Sequence, residues 1–272
     1  MNPEVSTYPD MITVLDRGLA YGDGLFETML VREGRPCLWE QHAERLLRGC
    51  QRLRIPEPDM TKLEREALAV CAGSDEAVLK LILTRGTGGR GYRAAVDPSP
   101  WHGFSLHPRP DYPEAFRSEG IKVRVCDMQL ARNPDLAGIK HLNRLEQVLA
   151  RNEWIDDFQE GLMLDTESNV IEGTMSNLFL ITQKGLVTAD LSQCGIEGII
   201  RQRIMAWAQQ QDIPCYLNKY LRLEDVFSAK ALFICNSVIG IWPVRQLENI
   251  SYALDNELLQ RLLKDETLTC AN

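Results

Sequence analysis

Five prolines between positions 98 and 113 (Pro98, Pro100, Pro108, Pro110 and Pro113) divide this chain into two unlike halves. Proline lacks the amide proton that helix interiors and sheet ladders need, so a long regular element cannot run through such a passage. Ahead of it, strand and helix periods alternate. Residues 25–31 are rich in strand formers, 32–35 read as a hairpin turn into 36–39, and 40–54 put Leu46, Leu47, Cys50 and Leu53 on one helical face. A second helix is expected at 61–71, opened by Thr61 and Glu64 at capping-box spacing. Strands are expected at 77–84 and 103–107. Beyond the prolines short strands dominate, at 121–126, 161–165, 177–182, 186–188, 215–216, 231–235 and 239–242. Helices are expected between them at 142–156, 199–211 and 254–263. The pattern predicts an α+β protein with domains at 1–108 and 120–272 joined by a linker at 109–119.

Charge and composition exclude several functions. Thirty basic against 38 acidic residues give a net charge of −8, which disfavours non-specific nucleic-acid binding. An anionic substrate must then be drawn by local arginines against the overall field. No apolar run approaches the roughly 18 residues of a membrane span. Residues 1–10 carry Glu4 and Asp10 and lack the basic-then-apolar pattern of a signal peptide. The eight cysteines are scattered without a CxxC pair and read as buried free thiols of a cytoplasmic protein. The four histidines form no HExxH pattern, so no metal is expected.

Two segments carry chemistry. Lys140 lies in Asn133-Pro134-Asp135-Leu136-Ala137-Gly138-Ile139-Lys140-His141-Leu142-Asn143-Arg144-Leu145, between apolar Ile139 and an amphipathic helix. Partial dehydration there lowers an amine's pKa and suits it to Schiff-base chemistry with an aldehyde cofactor, although a lysine at a loop–helix junction is ordinarily solvated. Glu172 lies in Asn169-Val170-Ile171-Glu172-Gly173-Thr174-Met175-Ser176-Asn177, where two expected strands meet; by itself it also reads as a turn glutamate before a glycine. Gly195-Ile196-Glu197-Gly198 is a glycine-bounded turn into the helix at Ile199, and a helix N-terminus offers donors to an anion. Gly86, Gly88 and Gly91 match GxGxxG, but Tyr92 leads into prolines rather than a helix and no βαβ series follows. A dinucleotide fold is therefore not expected. The segment reads instead as an active-site loop whose Arg85 or Arg90 can hold a carboxylate, or as a hairpin tip with solvated arginines.

Taken together, these blocks resemble the fold-type IV pyridoxal-phosphate enzymes. The likeness also runs through Asp16-Arg17-Gly18-Leu19-Ala20-Tyr21-Gly22-Asp23-Gly24-Leu25-Phe26-Glu27-Thr28, His42-Ala43-Glu44-Arg45-Leu46 and Cys235-Asn236-Ser237. The family contains branched-chain and D-amino-acid aminotransferases and aminodeoxychorismate lyases. The runs Thr84-Arg85-Gly86-Thr87-Gly88-Gly89-Arg90-Gly91-Tyr92 and Arg132-Asn133-Pro134 through Glu146-Gln147 are most similar to the lyases. The resemblance implies a D-amino-acid aminotransferase-like fold, with a smaller α/β N-terminal domain and a barrel-like C-terminal domain, working as a homodimer on a small molecule. It implies pyridoxal 5'-phosphate on Lys140, with Glu172 at the pyridine nitrogen. Phosphate contacts fall on Arg45, the backbone of Ile199 and Ile200, and Asn236 or Ser237, although many relatives carry Ser or Thr where this chain has Asn236. Outside the resemblance Arg45 reads as a solvated helix residue. Arg90, Arg85 and Tyr21 are the substrate-side candidates, with Asp23 behind them. His141 reads as a structural hydrogen-bonding residue or, second to that, a base.

Overall fold

The computed structural model describes residues 6–8, 12–89, 91–155 and 157–270. The chain forms two units: one runs to Pro110 and takes in Ile139–Asn143, the other comprises Asp111–Gly138 and Arg144 onward.

In the first unit the elements are β1 (Ser6–Tyr8), α1 (Arg17–Tyr21), β2 (Gly24–Arg32), β3 (Arg35–Pro36), α2 (Trp39–Leu53), α3 (Met60–Cys71), β4 (Glu76–Thr84) and β5 (Trp101–His107). The strands hydrogen-bond in the order β1-β5-β4-β2-β3, every pair antiparallel. β2 is flanked on both sides, and its Leu25, Glu27, Met29, Leu30 and Val31 are all buried. α2 approaches β2 at Gly49, where a Cβ would stand 2.7 Å from the Leu25 side chain. The buried stripe of α2 is His42, Arg45, Leu46, Gly49 and Cys50, the spacing of a helical face. Arg45 is only 5% exposed, so the reading of it as a solvated helix residue fails. The capping box at Thr61 and Glu64 is also corrected. Asp59 is the N-cap of α3 and accepts from Lys62 N–H at 3.0 Å, which puts Thr61 inside the first turn.

The second unit holds α4 (Ala115–Ser118), β6 (Ile121–Val125), α5 (Leu145–Arg151), β7 (Glu160–Leu164), β8 (Val170–Gly173), β9 (Asn177–Thr182) and β10 (Gly185–Ala189). It continues through α6 (Ile199–Gln210), β11 (Cys215–Asn218), α7 (Leu223–Phe227), β12 (Ala231–Asn236), β13 (Gly240–Leu247), β14 (Ile250–Ser251) and α8 (Glu257–Lys264). The main sheet runs β11-β10-β9-β12-β13-β6-β7-β8, with β14 on β13. β8 ends this path, yet only Thr174, Met175 and Ser176 join it to β9, five strand steps away along the path. Five steps of about 4.8 Å would separate them by about 24 Å in a flat sheet. The connection spans about 14 Å at most, so the sheet curls. Its core includes Leu178, Leu180 and Ile234, while Phe179 and Phe233, on the opposite face of the sheet, stack at 5.1 Å; all five are almost fully buried.

Two expectations around the site change. The helix expected at 142–156 shrinks to α5, because residues before Arg144 are hydrogen-bonded as extended chain; Asp156, its expected end, lies outside the described residues. Glu172 lies inside β8, paired with Met163, rather than at a junction of strands. Cys50, Cys71, Cys126, Cys194 and Cys235 are buried thiols, but Cys37, Cys215 and Cys270 are half-buried rather than buried. Among the described residues there is no cluster fit for a metal and no helix long and apolar enough to cross a membrane.

Candidate active site

In the first unit β2 organises the lysine segment. Phe26 N–H donates to the Lys140 carbonyl at 3.0 Å, Leu142 N–H donates to the Gly24 carbonyl at 3.0 Å, and Leu25 bridges His141. These bonds hold Lys140 as an added strand residue. Its Nζ stands 4.2 Å from the Phe26 ring centroid, where an aromatic face replaces part of the ammonium's water. Lys140 is half-buried.

Successive strand residues point to opposite faces, so Glu27 and Phe26 leave β2 on different sides. Glu27 is 1% exposed. His42 Nδ1 lies 2.6 Å from Glu27 Oε2, Arg45 Nε donates to Glu27 Oε1 at 2.9 Å, and Arg45 Nη2 donates to Oε2. Burial alone would raise the Glu27 pKa. Attraction to Arg45 and hydrogen bonds from Arg45 and His42 outweigh it and bring the value down to about 2. Burial lowers the pKa of His42 despite its Glu27 partner, which favours the neutral ring. A neutral ring hydrogen-bonded to the carboxylate through Nδ1 directs Nε2 away from it, and that atom is buried without a hydrogen-bond partner.

A second charged group sits at the start of the glycine loop. Asp23 is held by Arg17 and Arg85: Arg17 Nε reaches Oδ2 at 2.8 Å, while Arg85 Nε and Nη2 reach Oδ2 and Oδ1 at 2.8 and 2.9 Å. Burial opposes ionisation of Asp23, but the bonds from Arg85 and Arg17 leave its pKa below the ordinary value. Arg17 also donates to the Gly91 and Tyr92 carbonyls at 3.0 and 2.8 Å, which ties down the far end of the loop. Arg85 donates further to the Leu53 and Arg54 carbonyls at 2.8 and 2.6 Å, at the C-terminal end of α2. Its fork is thus occupied by protein acceptors and acts as a clamp within the unit. Arg90 lies outside the described residues. Tyr21 packs edge-on to Tyr92 at 5.6 Å, and the Arg17 guanidinium lies 5.0 Å from the Tyr21 ring. Gly86 has φ +85° and a Cβ there would meet the Ser99 carbonyl oxygen at 1.9 Å, so this glycine serves a close backbone approach. Beyond it the described loop opens no helix.

In the second unit Glu172 is 3% exposed. Its Oε2 accepts from Ile196 N–H at 2.8 Å and lies 3.5 Å from Asn177 Nδ2. Burial draws the pKa of Arg144 down, an effect opposed by the Glu172 and Glu146 carboxylates. Gly198 caps α6 without any side-chain bond, and the first turn of α6 has no acidic residue. Ile199 and Ile200 therefore begin a helix whose positive end is suited to a phosphate. Asn236 uses its side chain in the protein: Nδ2 donates to the Met175 carbonyl at 3.0 Å, and Oδ1 accepts from Val238 and Ile239 N–H at 2.8 and 2.9 Å. Ser237 follows it in that turn, half-buried.

A family model for class IV amino-transferases matches residues 24–247. The chain belongs to the class IV aminotransferase family. An aminodeoxychorismate lyase of Vibrio harveyi is 33% identical over 231 residues, 84% of each chain. The crystal structure of 4-amino-4-deoxychorismate lyase from Pseudomonas aeruginosa superposes with a TM-score of 0.92 at 44% identity, covering 97% of this chain and 98% of that one. A bifunctional aminodeoxychorismate lyase and D-amino acid transaminase of Mycobacterium tuberculosis is 26% identical over 242 residues, 82% of this chain and 81% of that one. The fold is that of fold-type IV enzymes in this class IV family.

Within this class IV chain, sequence reasoning missed Glu27, His42, Arg17 and Asn177. One signal was available. His42, Arg45, Leu46, Gly49 and Cys50 share a helical face, so the period that buries Leu46 also buries two polar residues that then need a partner. For Arg17 and Asn177 the signal was weak: Asp23 and Glu172 lie six and five positions away, but their other partners, Gly91 and Tyr92 for Arg17 and Ile196 and Gly198 for Asn177, are distant in the chain.

Proposed function

We propose that the protein is a pyridoxal 5'-phosphate-dependent 4-amino-4-deoxychorismate lyase, releasing pyruvate and 4-aminobenzoate, a folate precursor. The observation that carries this reading is the 44% identity to the Pseudomonas aeruginosa lyase over 97% of the chain. The residues fit the cofactor chemically: a half-buried lysine against an aromatic ring, a buried carboxylate, and a helix N-terminus with no side-chain cap for a phosphate. When bound, pyridoxal phosphate supplies an electron sink for the bond-breaking step.

The chain's own residues do the rest. Lys140 would hold the cofactor aldehyde, and its ε-amine, when free, would take the proton from the amine-bearing ring carbon. Loss of the neighbouring enolpyruvyl oxygen would aromatise the substrate ring, and Lys140 would return its proton to the departing enol carbon to give pyruvate. Glu172 would hold a proton on the pyridine nitrogen, with its carboxylate fixed for that task by the Ile196 N–H. The reading assigns the phosphate to Arg45, the backbone of Ile199 and Ile200, and the Asn236–Ser237 turn. Glu27 and His42 orient Arg45 from inside the first unit. Two substrate carboxylates require cations, for which the reading favours Arg90, with Tyr21 as a further substrate-side candidate and Arg85 bracing the loop through Asp23.

The same reading takes the protein as a cytoplasmic homodimer without nucleic-acid or membrane partners. Free thiols suit a reducing compartment, and α5 exposes Leu145, Val148 and Leu149 on one face, an apolar stripe that a second copy can cover. The alternative, a D-amino-acid or branched-chain aminotransferase, draws on the bifunctional relative. Incubation with aminodeoxychorismate should yield equimolar 4-aminobenzoate and pyruvate with no keto acid added. Efficient transfer from D-alanine or leucine to 2-oxoglutarate, without 4-aminobenzoate, would replace the lyase by the aminotransferase.

A further inference from the structure

Asn177 opens β9 and is 5% exposed. Its carboxamide joins two stretches of chain that the proposed function uses separately. Nδ2 donates to the Ile196 carbonyl at 2.9 Å and lies 3.5 Å from Glu172 Oε2, while Oδ1 accepts from Gly198 N–H at 3.1 Å. Ile196 N–H donates to the same Glu172 oxygen at 2.8 Å. The contacts close a ring from the Glu172 carboxylate through the 195–198 turn to the residue that caps α6. Its chemistry demands a primary amide. A carbonyl and a carboxylate on one side need a donor, and an N–H on the other needs an acceptor. Aspartate offers no donor and leucine offers neither group. Space is equally specific, since a Cβ on Gly198 would fall 2.0 Å from Asn177 Oδ1.

We propose that Asn177 is a positioning residue that locks Glu172 to the 195–198 turn, so that the carboxylate for the ring nitrogen and the helix end for the phosphate are set as one rigid piece. This rests on the reading of Glu172 and α6 given above. Asn177 acts through them, and the coupling should be visible in cofactor binding before any turnover.

The test uses apo and holo forms of the wild type, Asn177→Ala and Asn177→Asp, with pyridoxal phosphate and pyridoxal as probes. Asn177→Ala should weaken pyridoxal phosphate binding about tenfold, the scale of one or two lost hydrogen bonds. Its preference for pyridoxal phosphate over pyridoxal should shrink, and the absorbance of the bound cofactor should shift with pH as it does in Glu172→Gln. Asn177→Asp should be worse than Asn177→Ala, because it places a second carboxylate against Glu172. On the spectral readout, Asn177→Ala combined with Glu172→Gln should be no worse than Glu172→Gln alone. Gly198→Ala keeps an ordinary backbone angle, φ −66°, and should produce the same paired changes by pushing on Oδ1, even if the Asn177 variants fold poorly. A residue that only stabilises the fold would lower Tm and leave the binding preference and the pH-dependent spectrum at wild-type values. That outcome overturns the inference. Wild type that takes up no pyridoxal phosphate would instead overturn the cofactor reading.

Discussion

Replacing Glu27 by Gln keeps the shape of the side chain and removes its charge, leaving the Arg45 guanidinium buried beside a neutral amide. Glu27 titrates at about 2 in the folded protein against 4.5 for the free group. A carboxyl whose folded pKa is depressed stabilises the fold above its unfolded pKa and loses that contribution as pH falls through the folded value. The difference corresponds to about 3 kcal/mol at pH 7. That agrees with the roughly 3–5 kcal/mol cost of stripping one partner from a buried ion pair. The same relation leaves less than half of that contribution at pH 3 and little of it at pH 2. Urea unfolding of wild type and Glu27→Gln, followed by tryptophan fluorescence, should show a gap of this size at pH 7 that closes in acid. His42 adds a separate slope: its folded pKa is lowered, so the unfolded chain takes up the proton first and stability falls as pH drops below about 6.5 in both proteins. A gap under about 1 kcal/mol at pH 7, or one that persists unchanged to pH 2.5, would refute the buried-pair reasoning.

Borohydride reduction of the holoenzyme followed by peptide mapping should place the pyridoxyl label on Lys140, and Lys140→Ala should lose turnover; a label on another lysine alone rejects the assignment. Glu172→Gln should slow elimination by about 100-fold or more with cofactor still bound, because the lost stabilisation acts on charge developing in the transition state. Near-normal kcat in that variant removes Glu172 from the ring nitrogen. Asp23→Asn should release Arg17 and Arg85 together, raising amide hydrogen exchange at Gly86, Gly88 and Gly91 by about tenfold. Unchanged exchange there would mean that the loop holds its shape without the carboxylate.

Arg45 and Arg85 show how a charged residue's role escapes a linear reading. Both are arginines whose carboxylate partners lie well beyond a helical turn in the sequence. Arg45 meets Glu27 and Arg85 meets Asp23, pairs separated by 18 and 62 positions. Burial then converts each pair from a weak surface contact into a structural one, since a charge withdrawn from water must be matched within the protein. The same reasoning explains why α5 is shorter than its amphipathic pattern. The period continues upstream of Arg144, but Lys140 and Leu142 hydrogen-bond to β2 and that stretch stays out of the helix.

The chain's order of residues determined by itself whatever depends on near neighbours. The periods of two and 3.6 marked β2, β4, β9 and α2, α3, α6 to within a few residues, and the spaced blocks around Lys140 and Glu172 pointed to the family. Tertiary structure decided what depends on residues far apart in sequence meeting in space. It set Glu172 within β8, occupied the Arg85 fork with Asp23, buried Arg45 against Glu27, and gave Asn177 its three contacts. The physical reason is that local periodicity reports which face of an element leaves water. It carries no information about which distant polar group will be there to satisfy a charge or an amide once water has gone.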